Sequence, residues 1–242
     1  EQICASDIDA QRRTALRRRF GVSVTQDNAA VMRAARVIVL AVKPQILASV
    51  LQQVHDAVTP EKLILSIAAG VTTARLQSLL GPGVRILRAM PNTPALLGRA
   101  VSVLVRGRYA TAADERLGLR LLRAVGQAAA VPDERLLNAV TGLSGSGPAF
   151  LFEFVAALRE GGVAAGLPRD VAAQLAQATA LGSARLLAET RAEPEALRDQ
   201  VTSPHGTTFA GLQRMAARGF RETLKETVLA ARARSEELSQ DT

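Results

Sequence analysis

Aromatic residues are scarce in this chain, with six Phe, one Tyr and no Trp among 242 residues. Surfaces that bind single-stranded nucleic acid stack bases on aromatic rings, so that function lacks its usual material here. A single cysteine, Cys4, excludes an internal disulfide and fits a reducing, cytoplasmic setting. The two histidines, His55 and His205, do not make a structural zinc site with Cys4, and composition alone leaves carboxylate ligation of a metal open. Hydrophobic residues make up 48% of the chain. No apolar run approaches the ~18 residues that a membrane-spanning helix requires, so no membrane partner is expected. The opening Glu1-Gln2-Ile3-Cys4 does not read as a signal peptide.

The net charge is +8, and it raises a nucleic-acid reading. The dense basic cluster, Arg12-Arg13 with Arg17-Arg18-Arg19, lies on one helix and has no aromatic residues interleaved except Phe20 at its end. Nucleic acid is therefore not expected as a partner. The same charge suits small phosphorylated anions.

What is present is alternation. Short β-branched runs at 3–5, 22–24, 36–42, 63–67, 84–88, 101–105 and 128–131 are separated by helical patterns. Arg36 to Val42 and Leu63 to Ile67 are continuous rather than alternating, as parallel strands covered on both faces are. Strands alternating with helices of this length predict a doubly wound, mostly parallel sheet, whose ligands bind at the carboxyl ends of the strands. Those ends read Ala5-Ser6-Asp7, Ala41-Val42-Lys43-Pro44, Ala68-Ala69-Gly70 and Met90-Pro91-Asn92-Thr93-Pro94. Each is small, polar or bent by proline, and all four are expected on one edge. A dinucleotide fold ordinarily opens with a strand and a Gly-rich turn. Here the pattern starts at what reads as the second strand, so one β-α unit of about 25–30 residues is expected to precede it.

From Pro132 onward the pattern is helical, with helices expected near 133–142, 147–165, 168–189, 194–200, 207–218 and 220–239. The stretch TGLSGSGPAFLFEF at 141–154 is the hinge between the two halves. Its glycines suit a tight turn and close approach by a ligand or a neighbouring helix, and Ser144 and Ser146 offer hydroxyls at a helix entrance. These read either as a plain helix start between two domains or as groups that point into a site. Gly161-Gly162 inside a helix predicts close approach of another helix, since each glycine costs ~1 kcal/mol relative to alanine. A helical half this poor in large side chains predicts helix exchange with a second subunit.

Gln200-Val201-Thr202-Ser203-Pro204-His205-Gly206-Thr207-Thr208 lies between two helices and supplies more hydroxyls than a helix cap needs. With free N–H groups at the later helix start, it is a ready carboxylate site.

AVKPQ at 41–45, SIAAGV at 66–71, RAMPNTPALLG at 88–98, TGLSGSGPAF at 141–150 and TSPHGTT at 202–208 together resemble the pyrroline-5-carboxylate reductase family. The resemblance runs from Ile3 to about Leu238, and the order of five motifs makes it specific. It implies a Rossmann-type α/β dinucleotide-binding domain (1–131) followed by an all-α dimerisation and substrate domain (132–242). It also implies reduction of 1-pyrroline-5-carboxylate to L-proline with NADPH, or with NADH, by a homodimer that joins through the C-terminal helices and often builds a decamer. Residue by residue, it places Ser6 and Asn28 near the adenosine ribose and its 2′-phosphate. Ala41, Val42, Lys43, Pro44, Ala68, Ala69 and Gly70 line the cofactor, Asn92 lies near the nicotinamide, and Gln200 touches the cofactor. Ser203, Gly206, Thr207 and Thr208 clamp the substrate carboxylate, with Thr208 hydrogen-bonded to the ring nitrogen and catalytic in that sense. An acidic residue ahead of that loop also belongs to the family's substrate site, and Glu189 is the candidate for it. His205 departs from the family, which usually has glycine there, and must accept whatever backbone conformation that glycine held.

Two other readings are weighed against this one. A β-hydroxy-acid dehydrogenase of similar build typically uses a lysine on the first long helix of its second domain; helix 147–165 has none. A non-catalytic relative that binds cofactor or partner is the remaining class.

Overall fold

In a computed structural model, which describes residues 3–240, the alternating runs become seven strands and eleven α-helices. In the first half these are β1 (Cys4–Ser6), α1 (Ala10–Phe20), β2 (Ser23–Thr25), α2 (Asn28–Ala34), β3 (Val37–Leu40) and α3 (Pro44–Val54). Then come β4 (Leu63–Ser66), α4 (Thr73–Leu80), β5 (Arg85–Met90), β6 (Ala100–Arg106), α5 (Ala112–Arg123) and β7 (Gly126–Ala130). Local chemistry sets the boundaries. Asp9 caps α1 through its carboxylate, Gly21 ends it at φ +66°, Asp27 caps α2, and Pro44 takes the first turn of α3.

β3, β4 and β5 pair in parallel, β6 runs antiparallel to β5, and β7 is parallel to β6. Alternate residues of β4 serve opposite faces. Ile64 joins Met32, Leu47, Leu51, Leu76 and Ile86 under α2, α3 and α4, while Leu63 and Leu65 join Leu87, Leu104 and Leu122 under α5. This doubly wound core is closely packed; Leu51 is 0% exposed. Its truncation to alanine costs about 2–5 kcal/mol.

The sheet departs from expectation in two ways. The antiparallel β5–β6 pair arises because only a short 3-10 turn (Thr93–Leu97) joins them, too short for a parallel crossover. In addition, β1 pairs only with β2, in a separate two-stranded sheet, and β3 pairs only with β4. Three of the four strand ends expected on one edge therefore share a continuous sheet, and β1 stands outside it. Val39 of β3 is 52% exposed, unlike any residue of β4.

The second half holds α6 (Leu136–Val140), α7 (Gly147–Ala164), α8 (Arg169–Thr190), α9 (Pro194–Gln200), α10 (Thr207–Ala217) and α11 (Phe220–Gln240). The hinge is not a tight turn. Thr141–Gly145 forms a π-helical turn between α6 and α7, and none of Gly142, Gly145 and Gly147 has positive φ. The Ser144 hydroxyl donates to Val140 O at 3.1 Å, and Ser146 makes no side-chain cap. The Ser144 hydroxyl is thus engaged by the helix itself, because a wide turn lets the chain continue as helix without freeing its N–H groups. Gly145 lies close under Met90: a Cβ there would come 2.8 Å from the Met90 methyl, which would have to shift.

The described chain divides into two compact units, residues 1–145 with 231–242, and residues 146–230. In the second unit, Gly162 allows the close approach expected of it, since a Cβ there would meet the Ala172 Cβ at 3.1 Å. Phe154 packs on Phe220 with ring centroids 6.3 Å apart. Among the described residues of this unit, only Ala172 and Ala176 are fully buried hydrophobics.

Candidate active site

At the end of β1 the Ser6 hydroxyl donates to Asn28 Oδ1 at 2.8 Å, and Asn28 Nδ2 donates to Gln53 Oε1 at 3.1 Å. The strand end is thus tied through the first residue of α2 to α3. Asp7 follows, with its N–H donating to Thr25 O at 3.2 Å and its Oδ1 accepting from Asp9 N–H at 2.8 Å.

The ends of β3, β4 and β5 lie in strand order on the continuous sheet. After β3, Ala41 and Lys43 are exposed and Val42 is half-buried; Lys43 precedes Pro44 and makes no side-chain cap. After β4, the Ser66 hydroxyl accepts from Ala68 N–H at 3.3 Å, Ala69 is exposed, and Gly70 turns the chain at φ +77°. A side chain at position 70 would be strained in that conformation. After β5, Asn92 Oδ1 accepts from Val101 N–H at 2.9 Å, and its Nδ2 donates to Ser144 O at 3.1 Å. The Asn92 amide is therefore committed to holding the β5–β6 turn against the π turn.

One constellation in this unit has no counterpart in the sequence reading. Arg88 is buried in β5 and donates to Glu134 Oε1 at 2.8 Å. Glu134 also accepts from Thr73 N–H at 2.8 Å and from the Thr73 hydroxyl at 2.5 Å. The available signal was an arginine in the middle of a strand, between Leu87 and Ala89, where a buried cation demands an acidic partner; its identity depends on the fold.

In the second unit, α9 ends at Gln200, which is exposed, and α10 begins at Thr207. Between them Ser203 O accepts from Gly206 N–H at 3.0 Å, and the Thr202 hydroxyl donates to Arg198 O at 2.6 Å. Gly206 is the N-cap of α10, and no side chain caps this helix. A Cβ on Gly206 would fall 2.3 Å from the Ser203 hydroxyl and 3.2 Å from its carbonyl oxygen, so a side chain there would displace Ser203. The hydroxyls of Ser203, Thr207 and Thr208 make no hydrogen bond among the described residues. The start of α10 therefore keeps N–H groups without a side-chain cap at the positive end of its dipole, with three unengaged hydroxyls within five residues of it. His205 sits at φ +58°, the left-handed conformation a glycine holds freely, and its ring meets Phe209 edge-on with centroids 5.7 Å apart. Glu189 is exposed in the last turn of α8 and makes no hydrogen bond or ion pair among the described residues.

A doubly wound sheet with open, glycine- and proline-bent strand ends, followed by an all-helical unit, is the build of a Rossmann-type nicotinamide-dependent oxidoreductase. Residues 134–238 match the family described as pyrroline-5-carboxylate reductase dimerisation, and residues 1–70 match NADP oxidoreductase, coenzyme F420-dependent. Pyrroline-5-carboxylate reductase of Methanosarcina acetivorans is 42% identical over 98% of this chain and 88% of its own length. That of Pseudomonas aeruginosa is 41% identical over 99% of this chain and 88% of its own. The structure of a pyrroline-5-carboxylate reductase from Coxiella burnetii superposes with a TM-score of 0.92 at 35% identity, covering 98% of this chain and 88% of that one. The Plasmodium falciparum enzyme with NADP bound superposes with a TM-score of 0.83 at 28% identity, covering 91% and 84%. The chain belongs to the pyrroline-5-carboxylate reductase family.

Proposed function

We propose that the full-length protein reduces the C=N bond of 1-pyrroline-5-carboxylate to L-proline, the last step of proline biosynthesis, with NADPH and also with NADH. The observation that carries this reading is the start of α10, which has no side-chain cap and carries the hydroxyls of Ser203, Thr207 and Thr208 without a hydrogen bond among the described residues. That is a seat for a small carboxylate.

The strand ends fit a dinucleotide by their donor set. The Ser6–Asn28 pair offers a hydroxyl and an amide to a ribose, Ala41 and Ala69 are exposed small residues, and Gly70 bends the chain at φ +77°. Val42, Lys43, Pro44 and Ala68 complete that wall. When bound, the nicotinamide ring supplies the hydride. Asn92 shapes the wall beside it through its two backbone hydrogen bonds.

The chain's own residues bind and orient. The N–H groups of Thr207 and Thr208, with the Ser203 hydroxyl and Gly206, hold the substrate carboxylate. The Thr208 hydroxyl accepts the hydrogen bond of the ring N–H. A cyclic imine is basic enough to be protonated near neutral pH, so the ring brings its own proton and no strong general acid is needed. Catalysis then rests on positioning, which is worth up to ~7–11 kcal/mol. Glu189 is the acidic residue assigned to the rim of this site.

Residues 1–131 serve as the cofactor domain and 132–242 as the substrate and dimerisation domain. A homodimer through the C-terminal helices would cover side chains that this chain leaves open, among them Phe152, Leu175, Leu181 and Leu186. A decamer of such dimers is the larger assembly proposed.

Loss of nicotinamide absorbance on adding 1-pyrroline-5-carboxylate to the full-length, oligomeric protein is the direct test. Absence of turnover with both NADPH and NADH overturns the reading.

A further inference from the structure

The Arg88–Glu134–Thr73 constellation has no part in the chemistry proposed above, yet it encloses the rim of the sheet. β4 has a parallel neighbour on each side, β3 and β5. The turn after it, residues 67–72, is therefore the middle of the three strand ends where ligands of such sheets bind. One end of this turn is fixed by the ladder, since Ser66, the last residue of β4, pairs with Arg88 of β5. The other end is Thr73, the first residue of α4, whose N–H and hydroxyl donate to the Glu134 carboxylate at 2.8 and 2.5 Å. Arg88 Nη1 donates to the same carboxylate at 2.8 Å. Three side chains thus join the two ends of the turn and close a ring with it.

Helix capping does not account for this arrangement, because Thr72 already caps α4 by accepting from Arg75 N–H at 3.1 Å. Nor does neutralising Arg88: Oε1 takes the guanidinium, while Oε2 is given to the Thr73 hydroxyl. Inside the ring, Ala69 is exposed and Gly70 stands at φ +77°. A second grip comes from four residues further on. Asn138 Oδ1 accepts from the hydroxyls of Ser235 and Ser239 at 2.9 and 3.4 Å, and a Cβ on Gly70 would lie 3.6 Å from the Leu238 Cβ. This end of α11 belongs to the same compact unit as the sheet. Glu134 and Asn138 hold the two flanks of the turn, and a backbone held in this way is preorganised for a ligand.

We infer that Glu134 is a positioning residue for the nicotinamide dinucleotide: through Thr73 it fixes the turn 67–72 against which the cofactor lies. The inference deepens the cofactor reading proposed above and rests on it. Glu134 acts through the backbone of the turn rather than on the reacting atoms.

Thr73→Val removes the hydroxyl and keeps the shape of the side chain, and Thr73→Ser returns the hydroxyl. Arg88→Met together with Glu134→Gln removes both charges, so that no buried cation is stranded. Binding of NADP+ and NAD+ to the full-length protein is measured by calorimetry, stability by denaturant unfolding, and hydrogen exchange of residues 67–72 without ligand. Thr73→Val and the double variant should each weaken dinucleotide binding about fivefold, roughly the worth of one hydrogen bond. The amides of the turn should exchange about tenfold faster in both. Thr73→Ser should bind and exchange as the wild type does. The double variant should regain stability relative to Glu134→Gln without regaining affinity. Affinity that returns in step with stability overturns the inference and makes the ring a fastening only. Binding within about twofold of wild type in both Thr73→Val and the double variant overturns it as well, and leaves the cofactor reading standing. If the wild-type protein binds neither dinucleotide, the cofactor reading falls and the inference with it.

Discussion

Arg88 in β5 and Glu134 ahead of α6 form a buried ion pair with a nitrogen-to-oxygen distance of 2.8 Å, and the same carboxylate holds the start of α4 through Thr73. One acidic side chain thereby fastens the segment leading to the π turn onto the edge of the sheet core. Arg88 is almost wholly buried and Glu134 is a quarter exposed. Loss of the carboxylate strands a buried cation, whereas loss of both charges does not.

Glu134→Gln should therefore destabilise the protein by about 2–3 kcal/mol, somewhat below the range for a fully buried pair because Glu134 is partly solvated. Adding Arg88→Met should recover a good part of that loss. Denaturant unfolding of the two variants checks this; equal destabilisation by single and double substitution would contradict it.

Thr208 lies in the first turn of α10, and its hydroxyl makes no hydrogen bond within the described residues. Thr208→Ala should leave stability within about 0.5 kcal/mol, as for a substitution that breaks no protein contact. It should lower kcat/KM for the imine about tenfold or more, the worth of one hydrogen bond made in the transition state. Wild-type kinetics would remove Thr208 from the site.

His205 holds φ +58° with a side chain that gains little from it beyond an edge contact with Phe209. His205→Gly should raise stability by up to about 1 kcal/mol, the left-handed cost relieved less the extra freedom gained by the unfolded chain. His205→Val should lower it, because a β-branched residue tolerates that conformation least. Thermal unfolding at one protein concentration decides between these outcomes, and a Val variant as stable as wild type would show that the loop relaxes.

Phe152 is 67% exposed and Leu186 50% exposed on the helices of the second unit, which buries only two alanines fully among its described hydrophobics. A unit so thinly filled requires a partner for stability. Phe152→Asp with Leu186→Asp should shift the protein toward monomer in sedimentation and make its melting temperature lower and less dependent on concentration. An unchanged assembly would place the interface elsewhere.

Local order was legible in the residues themselves. Continuous runs such as Leu63 to Ser66 formed as expected, and caps such as Asp9 and Asp27 and the stop at Gly21 depend on neighbours a few positions away. The clustering of Ser203, Thr207 and Thr208 at one helix start was equally local. Pairings across long separations were not legible. Glu134 reaches Arg88 and Thr73 over 46 and 61 residues, and Asn92 reaches Ser144 over 52. The antiparallel turn into β6, the separation of β1 from the main sheet and the π turn at Thr141–Gly145 likewise followed from packing. Backbone propensity and periodicity act within a few residues, whereas the choice of partner for a buried charge or a strand edge is made only when distant segments meet and must satisfy one another's polar groups.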